Sequence, residues 1–214
     1  EARKVWFDPT VQRLNSDERG RLLGSFKGED RLLIGLKNGT LKVVVPELSL
    51  HFDADMIYLE KLEVDRPISA VYFDGEKARY FVKRFEWEGG DRETNIITAH
   101  AKSELSYLSN ATQPVIEMVY RKQGGQAKEP EKVILSEFIT VKGISAKGNQ
   151  LTTDTLNKIV GLDPLPEPEP QTAVEVSEPV LDGPIVEDTP PPAAPPPPKP
   201  FEGEDEPPQI TLDF

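Results

Sequence analysis

The sequence predicts an all-β repeat fold, and three observations carry that prediction. Turn-forming pairs recur at Asn38-Gly39, Asp74-Gly75 and Asn110-Ala111, with 36 positions between successive pairs. Asn-Gly and Asp-Gly supply the positive φ angles that a tight hairpin turn demands. Each pair stands between apolar runs: LLIGL and LKVVV, then SAVYF and RYFVKRF, then LSYL and VIEMVY. The runs are rich in β-branched and aromatic residues, such as Val43, Val44, Val45, Tyr72, Phe73, Tyr80, Phe81, Val82, Ile96 and Ile97, which favour strands. No window sustains an apolar 3.6-residue period. A third run follows each hairpin, namely MIYLEKL, NIITAH and KVILSEF. The predicted unit is therefore strand, turn, strand, loop, strand. One such unit cannot bury both faces of its own sheet, so stacked copies must share a core, as in propellers and related repeat folds.

Residues 1–30 read as an entry segment with a tight turn at Glu18-Arg19-Gly20. The three repeats occupy 31–141. Residues 142–161 continue with a glycine-punctuated hairpin around Lys147-Gly148-Asn149 and a short closing strand. Pro46, Pro67, Pro114 and Pro130 fall at the edges of runs, where a missing N–H does least harm. The body, residues 1–161, is long enough for one substantial core. Beyond it the character changes. The formal net charge of −12 belongs entirely to residues 162–214, because residues 1–161 carry 24 basic and 24 acidic side chains. The tail sets 13 acids against the single Lys199 and holds 16 of the 21 prolines. Such a composition predicts a disordered, polyproline-like acidic tail.

The composition also excludes several functions. The absence of cysteine removes disulfides and thiolate metal sites and fits a reducing compartment. No apolar stretch reaches the roughly 20 residues that span a bilayer, so no membrane partner is expected. The opening EARKVW lacks an initiator Met and a leader and reads as a piece of a longer cytosolic polypeptide. His51 and His100 stand apart without a metal-ligand spacing, and neither a GxSxG elbow nor a P-loop occurs. Asp53 and Asp55 read as a solvated loop. Catalysis and metal binding by this chain are therefore not expected, and no cofactor is assigned to it.

Basic side chains beside glycines give the more pointed signal. Arg13, Arg19 and Arg21 surround Gly20 and Gly24, Lys142 and Lys147 flank Gly143 and Gly148, and Lys83-Arg84 adds a cationic point on the second hairpin. Glycine lets a backbone approach a phosphate closely, while neighbouring cations neutralise it. Each position alone fits an ordinary turn charge, but their restriction to the turns of a repeat fold points to a nucleic-acid surface.

The phrases VQRLN, RGRLLG and DRLLIGLKNGTLK, then AVYFDGEKARYFVKRFEWE and FITVKGISAKGNQLT, resemble the C-terminal domain of the A subunit of bacterial type II DNA topoisomerases. The resemblance is to the topoisomerase IV (ParC-like) type of Bacteroidetes, related to gyrase A, and covers about residues 1–160. It implies a β-pinwheel of three to four propeller-like blades whose basic rim binds and bends duplex DNA for a breakage–reunion core. The gyrase basic box is matched only loosely by Glu18–Gly24 and Val141–Gly148. Decatenation or relaxation is thus implied ahead of supercoiling. The catalytic tyrosine of that family lies in a domain outside this chain. ATP and Mg2+ would act on other domains or on the B subunit, a partner through the longer protein, in the cytoplasm at the nucleoid.

The terminal Gln209, Leu212 and Phe214 resemble the Q-x-x-L-x-F peptide that docks on the replication sliding clamp. The rival reading is a propeller-like protein-interaction scaffold with no nucleic-acid role. The acidic tail, in the DNA reading, would compete with DNA for the cationic rim.

Overall fold

A computed structural model of the chain describes residues 1–126 and 128–167. In order they form β1 (Arg3–Asp8), β2 (Arg13–Asn15), β3 (Arg21–Phe26), β4 (Leu32–Leu36), β5 (Thr40–Val44), β6 (Met56–Lys61), β7 (Ile68–Asp74) and β8 (Arg79–Phe85). There follow β9 (Thr94–Asn95), β10 (Glu104–Ser109), β11 (Gln113–Tyr120), β12 (Glu131–Ile134), the single-turn helix α1 (Leu135–Phe138), β13 (Asn149–Gln150) and β14 (Leu156–Leu165). All strand pairs are antiparallel. They make four open sheets with orders β2-β1-β3, β6-β4-β5-β9, β10-β7-β8-β13 and β12-β11-β14. The all-β class is thus present, and β14 runs through Leu165, past the expected limit at Gly161.

A common unit underlies the four sheets. Its first strand is central, its second returns beside it as a hairpin, and its third pairs on the other side of the first. Between the second and third strands of each of the last three units the chain makes an excursion to the outer edge of the preceding sheet. In the second unit His51 bridges Arg13 of β2, in the third β9 pairs with β5, and in the fourth β13 pairs with β8. Each excursion then buries the next apolar residue, namely Phe52, Ile96 or Leu151, at 4%, 4% and 5% exposure, so the exchange is welded by packing as well as by backbone bonds.

Three layers of core lie between successive sheets. Val5, Phe7, Leu14, Ile34 and Phe52 fill the first, Leu33, Tyr72, Phe81, Phe85 and Ile96 the second, and Val71, Val82, Ile116, Met118 and Leu151 the third. The middle sheets are therefore covered on both faces, which is why β4, β7 and β8 are buried in continuous runs rather than in alternation. Ile96→Val removes one methyl group from the second layer and is expected to cost about 1 kcal/mol. A urea titration checks this as a lowered midpoint at unchanged slope.

The turns explain where the structure departs from the sequence expectation. At the first, Gly39 takes φ +86° and its N–H donates to the Leu36 carbonyl, as Asn-Gly predicts. The second is longer than a two-residue turn, since Asp74 faces Arg79 across the hairpin. There the Asp74 carboxylate accepts the N–H groups of Glu76 and Lys77, and Ala78 supplies the positive φ.

Asn110-Ala111 is not a hairpin turn. β10 pairs with β7 in the third sheet, whereas β11 pairs with β12 and β14 in the fourth, so the pair marks a step between sheets. Asn110 is buried there. Its Oδ1 accepts the Glu63 N–H at 2.7 Å, its Nδ2 donates to the Arg66 carbonyl at 3.0 Å, and its own N–H donates to the Tyr58 hydroxyl at 3.2 Å. The hairpin of the fourth unit instead spans 121–130, between β11 and β12, so the even spacing of 36 does not extend to a third hairpin. Lys147-Gly148-Asn149 likewise forms no hairpin, because β13 joins β8. Of the third runs, MIYLEKL is β6, NIITAH pairs only through β9 and on the preceding sheet, and KVILSEF divides into β12 and α1.

Candidate nucleic-acid interface

Strand alternation decides the fate of the Lys83-Arg84 pair. On β8 successive side chains point to opposite faces, and both faces of this sheet are covered. Lys83 is 4% exposed and Arg84 is 7% exposed. The Lys83 ammonium turns toward the second sheet and donates to the carbonyls of Ile96, at 2.9 Å, and Ile144, at 2.6 Å. Burial pushes its pKa down to about 8. The Arg84 guanidinium turns the other way, donating from Nε to Ser69 Oγ at 3.0 Å and from Nη1 toward the Ser136 and Ile139 carbonyls. Burial lowers its pKa as well. Neither side chain is a surface cation, which corrects the expectation for this pair. Both hold crossing segments in place.

Arg13, Arg19, Arg21, Lys142 and Lys147 are exposed, but they are not equivalent. Arg21 is neutralised by Glu60 of β6 and also donates to the Leu59 carbonyl at 2.6 Å. Arg19 meets Asp17 at 3.3 Å in an exposed pair that contributes little. The Glu18-Arg19-Gly20 turn is organised by Asn15, whose Oδ1 accepts the N–H groups of Asp17 and Arg19. Arg13 lies on the outer strand of the first sheet, beside His51.

Lys142 and Lys147 share the excursion of the fourth unit, and its backbone is fixed at three points. The Lys142 N–H donates to the Arg84 carbonyl at 2.8 Å, Ile144 accepts from Lys83, and the Tyr72 hydroxyl donates to the Lys147 carbonyl at 2.8 Å. Gly148 has φ +84°, and a Cβ there would fall 2.2 Å from the Val82 carbonyl oxygen, so only glycine lets the segment approach β8 this closely. Lys142 Nζ donates to Asn149 Oδ1 at 3.2 Å. The structure thus brings Lys142 and Lys147 together on one anchored segment and leaves the arginines of the entry segment on a different sheet.

Charge separates the excursions. The second, 45–55, carries exposed Glu47, Asp53 and Asp55 and neither lysine nor arginine. The third, through 86–95, sets Glu86, Glu88, Asp91 and Glu93 against Arg92. Lys42 of β5 lies between them, paired with Glu93 at 2.9 Å and Asp53 at 3.8 Å. The fourth, between β12 and β14, has Glu137 near its start and Asp154, paired with Lys128, near its end, while its stretch 139–150 contains two lysines and no acid. The outer edges thus differ in sign, with carboxylates in excess along 45–55 and 86–95 and lysines alone along 139–150.

The outward lysines were legible from their Gly-Lys setting. The inward roles of Lys83, Arg84 and Tyr72 were not, since they depend on which sheets flank β8. No group of three or more potential metal-ligating side chains occurs among the described residues, and no helix there is long and apolar enough to cross a membrane. Gln209, Leu212 and Phe214 lie outside the described residues. The family described as topoisomerase C-terminal domain, Bacteroidota, matches residues 13–163. No curated protein matches the chain.

Proposed function

The chain belongs to the topoisomerase C-terminal domain family of Bacteroidota, and from that premise we propose that it is a non-catalytic DNA-handling domain. It binds duplex through phosphate contacts and presents it to the breakage–reunion core of a type II topoisomerase A subunit of topoisomerase IV or gyrase A type. The observation that carries this reading is the fourth excursion, where exposed Lys142 and Lys147 stand on an anchored segment free of carboxylates. Arg13 and Arg19 add contacts from the first sheet. Phosphate contacts of this kind bind without direct sequence readout.

Four units, of which the last three lend a segment to the sheet before them, support a β-pinwheel description. The acidic middle excursions argue for a local contact rather than a continuous wrap. A short segment held at few points also bends duplex modestly, within the roughly 1–6 kcal/mol that smooth bending of a site costs. ATP and Mg2+ are assigned to other domains or to the B subunit, and the setting to the cytoplasm at the nucleoid. Sliding-clamp docking by Gln209, Leu212 and Phe214 rests on the residue pattern alone.

The test is duplex binding by the chain across a salt series. Two to four phosphate contacts give a log–log slope of about −2 to −4. The acidic excursions favour one second reading, a protein-interaction scaffold. A flat salt dependence, or no binding at low salt, would replace the DNA reading with that one.

A further inference from the structure

Lys83 is a buried cation with neutral partners only. It belongs to none of the ion pairs among the described residues. Its two acceptors are backbone carbonyls, which engage two of its three N–H donors, and the centre of the Phe85 ring lies 5.4 Å from the ammonium, so no anion balances its charge. Removing an ammonium from water without a counter-charge is costly, and burial is the one cause of its lowered pKa, with no carboxylate acting to raise it. Lys83 lines a cavity of about 200 Å³ between the third and fourth excursions. Tyr72, Asn95, Thr98, Ser145 and Lys147 also line it. Asn95, Ser145 and Lys147 are exposed, so the solvent side of the lining carries a second lysine and two uncharged polar residues. The walls come from two segments that Lys83 itself ties together, through Ile96 on one side and Ile144 on the other.

We propose that this cavity is a seat for one phosphate group, held by the Lys83 ammonium from beneath and the Lys147 ammonium at the mouth. An oxyanion there supplies the counter-charge that Lys83 lacks and accepts its third N–H, while the Ser145 hydroxyl offers a further donor; the Thr98 hydroxyl is already committed to the Asp74 carboxylate at 2.9 Å. The inference deepens the DNA reading, since a backbone phosphate crossing the fourth excursion reaches this seat. The seat itself requires only phosphate chemistry, so inorganic phosphate and duplex are separable sources.

The test titrates the full chain with inorganic phosphate against chloride at matched ionic strength, following backbone amide NMR shifts. Saturable shifts confined to residues 95–98 and 144–147 are expected, with a thermal midpoint that rises with phosphate and not with chloride. Lys83→Met is expected to weaken phosphate binding at least tenfold. Because that variant also loosens both excursions, Lys147→Met serves beside it: it leaves the two carbonyl bonds of Lys83 intact and is expected to weaken binding severalfold. Equal responses to phosphate and chloride, or phosphate affinity unchanged in Lys147→Met, overturn the seat. A short duplex that moves the same amides and competes with phosphate assigns the seat to DNA. Duplex that binds without moving them, or fails to bind while phosphate still does, assigns it to free phosphate, and only the latter result counts against the DNA reading.

Discussion

Reversing both charges of the fourth excursion, as Lys142→Glu with Lys147→Glu, is expected to lower duplex affinity by tenfold or more at low salt. The log–log salt slope should become shallower by about 2, one for each phosphate that a lysine no longer neutralises. The effect is large because residues 139–150 carry no carboxylate to dilute their field, and because one backbone hydrogen bond and two from the Lys83 and Tyr72 side chains fix the backbone that bears both lysines. Neither side chain is buried, so the thermal midpoint is expected to move little, which separates a binding defect from a folding one. The control is the same change in charge elsewhere: Lys37→Glu with Lys102→Glu alters exposed side chains at the hairpin-turn ends of the second and third sheets. Affinity there should stay within about twofold at moderate salt, where charges farther apart than about 10 Å are screened. Filter binding or fluorescence anisotropy over a salt series reads both variants. Equal losses in the two pairs would mean that DNA responds to overall charge and not to the fourth excursion.

Asn110→Ala is expected to be the most damaging single polar substitution for stability, at about 2–4 kcal/mol. The change deletes an acceptor for the Glu63 N–H and a donor to the Arg66 carbonyl, and it leaves both backbone groups without those partners at a buried crossing. Each partner left unsatisfied costs about 1–3 kcal/mol. For a chain of this size the thermal midpoint should fall by roughly 2–4 °C per kcal/mol. Asn110→Asp provides a graded comparison. It keeps an acceptor for Glu63 but sets a second oxygen against the Arg66 carbonyl, so it is expected to destabilise and not to rescue. Chemical denaturation followed by tryptophan fluorescence measures both. A loss below about 1 kcal/mol for Asn110→Ala would mean that water or the backbone re-satisfies the step between sheets.

The same residue shows where sequence reading stops. Asn110 stands between two apolar runs beside a small residue, the local pattern of a hairpin turn, yet it joins strands of different sheets. Composition at the turn is the same in both cases, because asparagine serves equally as a turn former and as a buried bridge with a donor and an acceptor. Which role it takes depends on β7 and β11 competing for neighbours across the fold. Asn38-Gly39 carries more local information, since Gly39 adopts a positive φ that most residues resist. That turn was legible.

The seven cations divide along the same line. A Lys or Arg beside glycine in a segment with no acid can be read as exposed, as Lys142 and Lys147 are. Lys83 and Arg84 sit in RYFVKRF, where one charged pair interrupts an apolar run. Sequence supplies the alternation that sends them to opposite faces, but not the fact that both faces are covered by other sheets. Arg21 was readable as basic and not as neutralised, because Glu60 lies 39 residues away.

By itself, then, the chain determined its strand content, the first two hairpins, the neutrality of its body and the confinement of its excess charge to residues 162–214, all of which are local or additive properties. Only the tertiary structure decided that each of the last three units lends a segment to the sheet before it, that Lys83 and Arg84 become internal ties, and that the acid-free stretch 139–150 lies along a sheet edge. Those outcomes depend on pairings between strands far apart in sequence, and backbone hydrogen bonds to a distant edge leave no signature in the residues that make them.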